Sequence, residues 1–103
     1  MKNSLLYKNR AGLKALCEKF HVRRLEVFGS AVREDFDPQH SDLDLLVEID
    51  PAVSSSYFDD YFGLREELES LLERPVDLLS IDALDNPYFI ERIANERETL
   101  YAA

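Results

Sequence analysis

Residues 26–50 read EVFGSAVREDFDPQHSDLDLLVEID, and the apolar alternation at the end of this stretch decides the fold. Between residues 42 and 50 apolar side chains recur at every second position, which predicts a β-strand with one buried face. The predicted buried face carries Leu43, Leu45, Val47 and Ile49, and the opposite face carries Asp42, Asp44, Leu46 and Glu48. The strand therefore begins with two aspartates that point the same way.

The segments on either side predict helices and further strands. Strands are predicted over residues 24–28 and 75–81, and helices over residues 4–20, 57–73 and 87–101. Asn3 or Ser4, Ser56 and Asn86 stand where helix N-caps are expected. The resulting order, α-β-(α)-β-α-β-α, predicts an α+β (α/β) fold with a small mixed sheet flanked by helices. Because no linker interrupts the chain, we expect one domain over residues 1–103.

Composition limits the classes of function. Asp and Glu number 21 against 12 Lys and Arg, for a formal net charge of −9. An acidic surface repels phosphate backbones, so we expect no autonomous binding to nucleic acid, and rather a basic protein partner or a cation site. No apolar run is long enough for a membrane span, and the start of the chain is too polar for a signal peptide. With Cys17 as the single cysteine, we expect a cytoplasmic protein.

Three aspartates form a candidate cation site. Asp42 and Asp44 converge on one patch because residues two apart on a strand lie about 6–7 Å from each other on one face. Asp77, in the third predicted strand, can face the same patch if that strand pairs beside residues 42–49. Oxygen-only ligands favour Mg²⁺ or Mn²⁺, and three carboxylates can hold two ions.

The Gly29-Ser30 pair follows the first predicted strand and supplies a candidate phosphate site. A glycine there lets the backbone approach a ligand, and a helix turn opening at Ser30 would offer free N–H groups. Arg33 would add a positive charge. Each feature alone has an ordinary structural explanation: a turn, a surface arginine, a solvated strand end or a charge on an edge strand. Their joint order along the chain is more specific.

The order VFGSAVRE…SDLDLLVEI…VDLLS resembles the minimal nucleotidyltransferases of the DNA polymerase beta-like superfamily. The resemblance implies that family's fold, a triphosphate bound at Gly29 and Ser30, and two Mg²⁺ ions held by Asp42, Asp44 and Asp77. Ser41 matches the serine before the first aspartate. Val32 and Glu34 depart from the common pattern, and the 11 residues between Ser30 and Asp42 make the loop one residue longer.

The resemblance also implies a role. Minimal nucleotidyltransferases often act as the antitoxin of a pair whose toxin is a helical HEPN ribonuclease, and they move AMP from ATP to a toxin hydroxyl. One alternative is an antitoxin that neutralises a basic partner by contact, with weak or no catalysis. Another is a nucleotidyltransferase that acts on a small molecule such as an aminoglycoside. The nucleobase, the acceptor and the oligomeric state are not encoded in these motifs.

Four aromatic residues start the predicted helix 57–73: Tyr57, Phe58, Tyr61 and Phe62. Their spacing favours helix core, and an exposed patch that binds a partner or stacks on a base is the alternative.

Overall fold

A four-stranded mixed sheet forms the centre of the protein. The computed structural model describes residues 3–32 and 42–103, without the side chain of Asp82. The strands are β1 (Val22–Phe28), β2 (Leu43–Ile49), β3 (Val76–Ser80) and β4 (Arg97–Ala102), in the spatial order β3-β2-β1-β4. β1 is antiparallel to β2 and β4, and β2 is parallel to β3. The predicted small mixed sheet is confirmed.

Within the described residues, four helices accompany the sheet: α1 (Ser4–Lys8), α2 (Arg10–Lys19), α3 (Tyr57–Leu72) and α4 (Pro87–Ile93). Short 3₁₀ turns cover Gly29–Ala31 and Ile81–Ala83. The three expected caps are present: the side chains of Asn3, Ser56 and Asn86 each accept a backbone N–H from the first turn that follows. Within the described ranges, no helix has the length and apolarity to cross a membrane.

The first predicted helix, over residues 4–20, is wrong in one respect, because the structure divides it at Asn9. The Asn9 side chain donates to the carbonyl oxygen of Leu5 at 2.8 Å, and its backbone has φ −98° and ψ 14°. An asparagine amide competes with the helix for backbone groups, which explains a break at this position. The predicted apolar face remains, since Leu6, Leu13 and Cys17 are buried.

The last predicted helix, over residues 87–101, is also wrong. The structure ends α4 at Ile93 and forms β4 from Arg97 to Ala102, antiparallel to β1. The apolar residues Ile93, Leu100 and Tyr101 suit either period, so local sequence left the choice open. The free edge of β1 decides it, because each backbone group of an added strand gains a partner there.

One face of the sheet packs against α1, α2 and α3 and holds the main core. The alternating face predicted for β2 lies in this core, with Leu43, Leu45, Val47 and Ile49 each at most 3% exposed. Leu64, Leu68 and Leu72 of α3 pack against this face of β2. The N-terminal half of α3 differs from prediction: Tyr57, Phe58 and Phe62 are exposed, and only Tyr61 packs partly against the core.

The opposite face of the sheet carries a smaller apolar cluster and an ion pair. Phe28, Leu46 and Ile93 are buried together where α4 covers the sheet. Beside them, Glu26 is 3% exposed and accepts two hydrogen bonds from the Arg97 guanidinium, one from Nε at 3.2 Å and one from Nη2 at 2.5 Å. This face also carries Asp44, so the candidate site lies at its margin.

Candidate active site

Asp44 and Asp77 lie side by side in the sheet. In the parallel pairing of β2 with β3, Leu43 is opposite Val76 and Asp44 is opposite Asp77. Adjacent strands are about 4.8 Å apart, and paired residues of a parallel ladder point to the same face. Asp44 is half-buried and Asp77 is exposed. The sequence predicted that Asp77 would face the aspartates of β2 if β3 paired beside them. β3 does pair with β2, and the pairing places Asp77 beside Asp44.

Gly29 lies directly against Asp44. β1 ends at Phe28, which is opposite Asp44 in the antiparallel pairing, and the chain turns at Gly29 with φ +76°. A Cβ on Gly29 would stand 2.8 Å from Oδ2 of Asp44. The turn after β1 therefore needs glycine for its left-handed backbone and for the close approach of the carboxylate.

The turn that follows is shorter than the helix turn predicted at Ser30. Gly29–Ala31 form one 3₁₀ turn, in which the N–H of Val32 donates to the carbonyl of Gly29 at 3.0 Å. The side-chain amide of Asn3 donates to the carbonyl of Ala31 at 3.3 Å. Asn3 thus caps α1 and holds the Gly29-Ser30 turn, a contact that the sequence did not suggest because it joins residues 28 positions apart.

Of the remaining predicted site residues, the structure describes some and not others. Asp42 immediately precedes β2 and is exposed. Arg33 and Ser41 fall outside the described residues, as do Glu34 and His40. Across residues 3–32 and 42–103, no three His, Cys, Asp or Glu side chains converge closely enough to form a complete metal-ligand set. The sheet brings together Asp44, Asp77 and Gly29.

The donor atoms at this place fit a hard divalent cation. Asp42, Asp44 and Asp77 offer carboxylate oxygens alone, the ligands that Mg²⁺ and Mn²⁺ prefer. Because Gly29 has no Cβ, Oδ2 of Asp44 can lie directly against the backbone turn. The turn and the carboxylate are therefore close enough to contact one ligand together.

Two side chains of α3 reach the strand that carries Asp77. The Tyr61 hydroxyl donates to the carbonyl of Leu78, and Oε2 of Glu69 accepts the N–H of Val76 at 2.9 Å. Burial raises the pKa of the Tyr61 phenol; Arg65 opposes this shift, and the nearby Tyr57 and Asp77 add to it. Tyr61 therefore keeps its proton at neutral pH and acts as a donor. The sequence suggested a base-stacking role for Tyr61 only as an alternative to a core position, and it assigned Glu69 no part in the site.

Comparison with known families gives an independent result. The nucleotidyltransferase domain family matches residues 10–100. "Putative protein adenylyltransferase MJ1379" of Methanocaldococcus jannaschii is 35% identical over 88 residues, which span 85% of this chain and 84% of the relative. "Protein adenylyltransferase MntA" of Thermococcus cleftensis is 41% identical over 71 residues, 69% of this chain and 68% of that protein.

Solved structures share the fold. The structure of a "putative minimal nucleotidyltransferase" superposes with a TM-score of 0.75 at 32% identity and covers 95% of both chains. An antitoxin complex from Shewanella oneidensis, described as a tri-AMPylated HEPN toxin with its MNT antitoxin, has a TM-score of 0.63 at 17% identity and covers 95% of this chain and 73% of that one. At that identity the second likeness concerns the fold alone.

Proposed function

The chain belongs to the nucleotidyltransferase domain family and is a nucleotidyltransferase of the minimal type. From this premise we propose that it transfers AMP from ATP to a hydroxyl of a partner protein. In this reaction the acceptor oxygen bonds to the α-phosphorus as the bond from that phosphorus to the bridging oxygen breaks. Pyrophosphate leaves with the electron pair, and the hydroxyl proton passes to water.

One observation carries the proposal: Asp44 and Asp77 share a rung of the sheet, with Gly29 against Asp44. Two carboxylates beside a backbone turn that has no Cβ can serve a cation and the phosphates bound to it together. A solvated strand end would need neither the left-handed glycine nor the register between two aspartates. The arrangement is therefore better explained by ligand binding than by chance acidity.

The proposal assigns the residues as follows. Asp42, Asp44 and Asp77 hold two Mg²⁺ ions, for which Mn²⁺ is a substitute. Bound there, Mg²⁺ neutralises phosphate charge and polarises the reacting oxygens. Gly29 and Ser30 receive the triphosphate at the 3₁₀ turn, and Arg33 and Ser41 complete the nucleotide site. These side chains contribute by positioning and electrostatics, which dominate phosphoryl-group transfer.

A protein is the acceptor that fits the chain best. The net charge of −9 favours a basic partner and disfavours nucleic acid. Relatives at 35% and 41% identity are named protein adenylyltransferases, which supports the same class of acceptor here. We propose a helical HEPN-type toxin as the partner, with this chain as its cytoplasmic antitoxin.

Intact-mass spectrometry tests the reaction. The product of the neighbouring gene is incubated with this protein, ATP and Mg²⁺, and we expect its mass to increase by one or more AMP groups. Asp44→Asn should abolish the increase, because it removes a carboxylate from the shared rung. The matched control is Asp85→Asn, an exposed aspartate in the segment before α4, which should leave the increase unchanged. An unmodified partner under varied nucleotides and metals would reject the proposal.

A contact-only antitoxin is the second candidate, and the exposed aromatic residues favour it. Tyr57, Phe58 and Phe62 are 46%, 67% and 45% exposed on one part of α3, and exposed apolar residues grouped in this way are typical of a partner surface. The double variant Asp42→Asn with Asp44→Asn distinguishes the candidates in cells that express the toxin. If that variant still protects the cells, contact suffices; if protection is lost while the two proteins still bind, the reaction is required.

A further inference from the structure

The strand that carries Asp77 lies at the edge of the sheet. In the order β3-β2-β1-β4, β3 pairs with β2 on one side only. β3 is five residues long, and a short edge strand has few hydrogen bonds to fix its position. A metal ligand on such a strand needs support from elsewhere, because ligating carboxylates depend on the groups around them for orientation.

The backbone of Asp77 itself is used by the pairing with β2. The N–H of Leu43 donates to the carbonyl of Pro75 at 3.3 Å, and in a parallel ladder alternate residues of one strand bond to the same neighbour. The backbone groups of residues 75, 77 and 79 therefore face β2. Those of Val76 and Leu78 face outward, away from the sheet.

Both outward positions that flank Asp77 are bonded to α3. Oε2 of Glu69 accepts the N–H of Val76 at 2.9 Å, and the hydroxyl of Tyr61 donates to the carbonyl of Leu78. One contact lies on each side of Asp77, and both come from a single helix whose buried leucines anchor it in the main core. Asp77 is thus held from β2 through its own backbone and from α3 through its two neighbours.

Packing alone does not explain the polar groups of Tyr61 and Glu69. Glu69 lies in the last turns of α3, where the helix dipole disfavours a negative charge. A phenylalanine at position 61 would keep the ring stacking on Tyr57, at 6.0 Å between centroids, and the edge contact with Phe62 at 5.0 Å. What the Tyr61 hydroxyl and the Glu69 carboxylate add is their hydrogen bonds to β3.

We propose that Tyr61 and Glu69 are positioning residues that clamp β3 on both sides of Asp77 and so hold its carboxylate in register with Asp44. The clamp sets the separation of two ligands of the cation site. This inference rests on the proposed function only in taking Asp77 as a metal ligand. It adds the means by which a ligand on an edge strand keeps its place.

Mn²⁺ binding in the presence of ATP and without an acceptor tests the clamp. Electron paramagnetic resonance measures free Mn²⁺ during the titration. We expect Tyr61→Phe to weaken Mn²⁺ binding roughly tenfold, at the low end of losses for groups that orient metal ligands. The matched control is Tyr57→Phe, which removes the hydroxyl of the stacked neighbour and should leave the affinity unchanged. An unchanged affinity in Tyr61→Phe, with a loss in Asp77→Asn, overturns the clamp and leaves the proposed function intact.

A second variant separates positioning from general damage. Glu69→Gln retains an acceptor for the Val76 N–H and should keep the wild-type affinity, whereas Glu69→Ala should lower it and speed hydrogen exchange of the Val76 amide. Glu66→Ala, an exposed glutamate of the same helix, is the control. If exchange at Val76 stays slow and the affinity stays high in Glu69→Ala, the clamp is rejected.

Coupling to Asp77 completes the test. Because Tyr61 acts through Asp77, adding Tyr61→Phe to Asp77→Asn should cause no further loss of Mn²⁺ affinity. A full additional loss would show that Tyr61 acts elsewhere and would overturn the proposal. An Asp77→Asn variant that binds Mn²⁺ like the wild type would instead reject Asp77 as a ligand, and the proposed metal site would fail together with the clamp.

Discussion

Gly29 shows how a single residue constrains the candidate site. Its φ of +76° lies in the left-handed region, and its missing Cβ leaves 2.8 Å between the position of that atom and Oδ2 of Asp44. Any other residue must strain its backbone and displace the carboxylate at the same time. The fold therefore requires glycine at this position, and the proposed function favours the same residue.

Gly29→Ala should damage both stability and activity. The left-handed backbone should cost about 1–2 kcal/mol in the free energy of unfolding, measured by urea denaturation. The added methyl group displaces the Asp44 carboxylate, so we also expect adenylylation to fall at least about tenfold, since small misplacements in a reacting site cost up to about a hundredfold.

Gly12→Ala is the matched control for this change. Gly12 lies inside α2, and an added Cβ would contact the flexible end of the Leu71 side chain at 3.0 Å. Replacing a helical glycine by alanine gains up to about 1 kcal/mol, which offsets the cost of the tight contact with Leu71. The stability of Gly12→Ala should therefore change little, and its activity should remain. Equal loss of activity in both variants would contradict a specific role for Gly29.

Glu26 is the second residue whose environment predicts a large effect. It is 3% exposed, and the Arg97 guanidinium supplies two hydrogen bonds, with Nε of Arg24 at 3.5 Å. A buried carboxylate that loses such a partner keeps its desolvation penalty. We therefore expect Arg97→Met to lower the free energy of unfolding by about 3 kcal/mol, by analogy with broken buried pairs, as measured by urea denaturation.

A second substitution checks the cause of that loss. Combining Arg97→Met with Glu26→Leu should restore much of the stability, because an apolar pair has no charge to desolvate. Arg23→Met is the control, since the pair of Arg23 with Asp50 is exposed and such pairs contribute little. Failure of the double variant to recover would assign the effect of Arg97 to packing.

Among the elements, α3 forms polar contacts with other parts of the protein near both of its ends. At its start, the Asp60 carboxylate accepts a hydrogen bond from Ser54 Oγ and pairs with the His21 ring at 3.1 Å. Partial burial raises the pKa of Asp60, but the hydrogen bonds from Ser54 and His21 and the charge of His21 outweigh it and leave the pKa below its usual value. Tyr61, in the first half of the helix, and Glu69, near its end, form hydrogen bonds to β3.

The lowered pKa predicts how the stability of this end depends on pH. A carboxyl whose pKa falls on folding stabilises the protein above its unfolded pKa of about 4, and this contribution disappears as pH falls through the folded pKa. Asp60→Asn should therefore be less stable than the wild type at pH 7, and the difference should shrink below about pH 4. Thermal unfolding at several pH values measures it.

Asp59→Asn is the control for this prediction, because Asp59 lies in the same first turn and is exposed. Both variants remove one negative charge from the start of α3, where the helix dipole favours it. A pH dependence that is the same in the two variants would mean that the dipole, and not the contacts with Ser54 and His21, is responsible.

For the whole molecule, the aspartates of the candidate site lie at the margin of the two apolar clusters. The main core lies between one face of the sheet and α1–α3, and the smaller cluster lies under α4. Asp42 and Asp77 are exposed. The fold therefore does not depend on a cation for its core, unlike small domains that fold only around a metal.

Metal removal should separate activity from folding. A chelator should abolish adenylylation while the melting temperature stays within about 2 °C, a shift that corresponds to well under 1 kcal/mol for a domain of this size. Adding Mg²⁺ or Mn²⁺ in excess should restore activity. A large fall in the melting temperature on chelation would contradict this division and would make the cation part of the fold.

Local sequence determined much of this protein. Three features could be predicted because each is a pattern of residues close together or ordered along the chain. They are the apolar alternation of β2, the helix caps at Asn3, Ser56 and Asn86, and the order of Gly29-Ser30 and the aspartates. The placement of Asp77 beside Asp44 could be predicted only as a condition, since it required that β3 pair with β2 in one register.

Tertiary structure decided the rest. Residues 97–102 form a strand because the free edge of β1 offers backbone partners, although the apolar pattern of the segment also allows a helix. Tyr57, Phe58 and Phe62 are exposed, and the buried face of α3 is formed by its leucines instead. The contacts of Asn3, Tyr61 and Glu69 with distant backbone leave no local pattern, so only the assembled sheet and helices could bring them to the site.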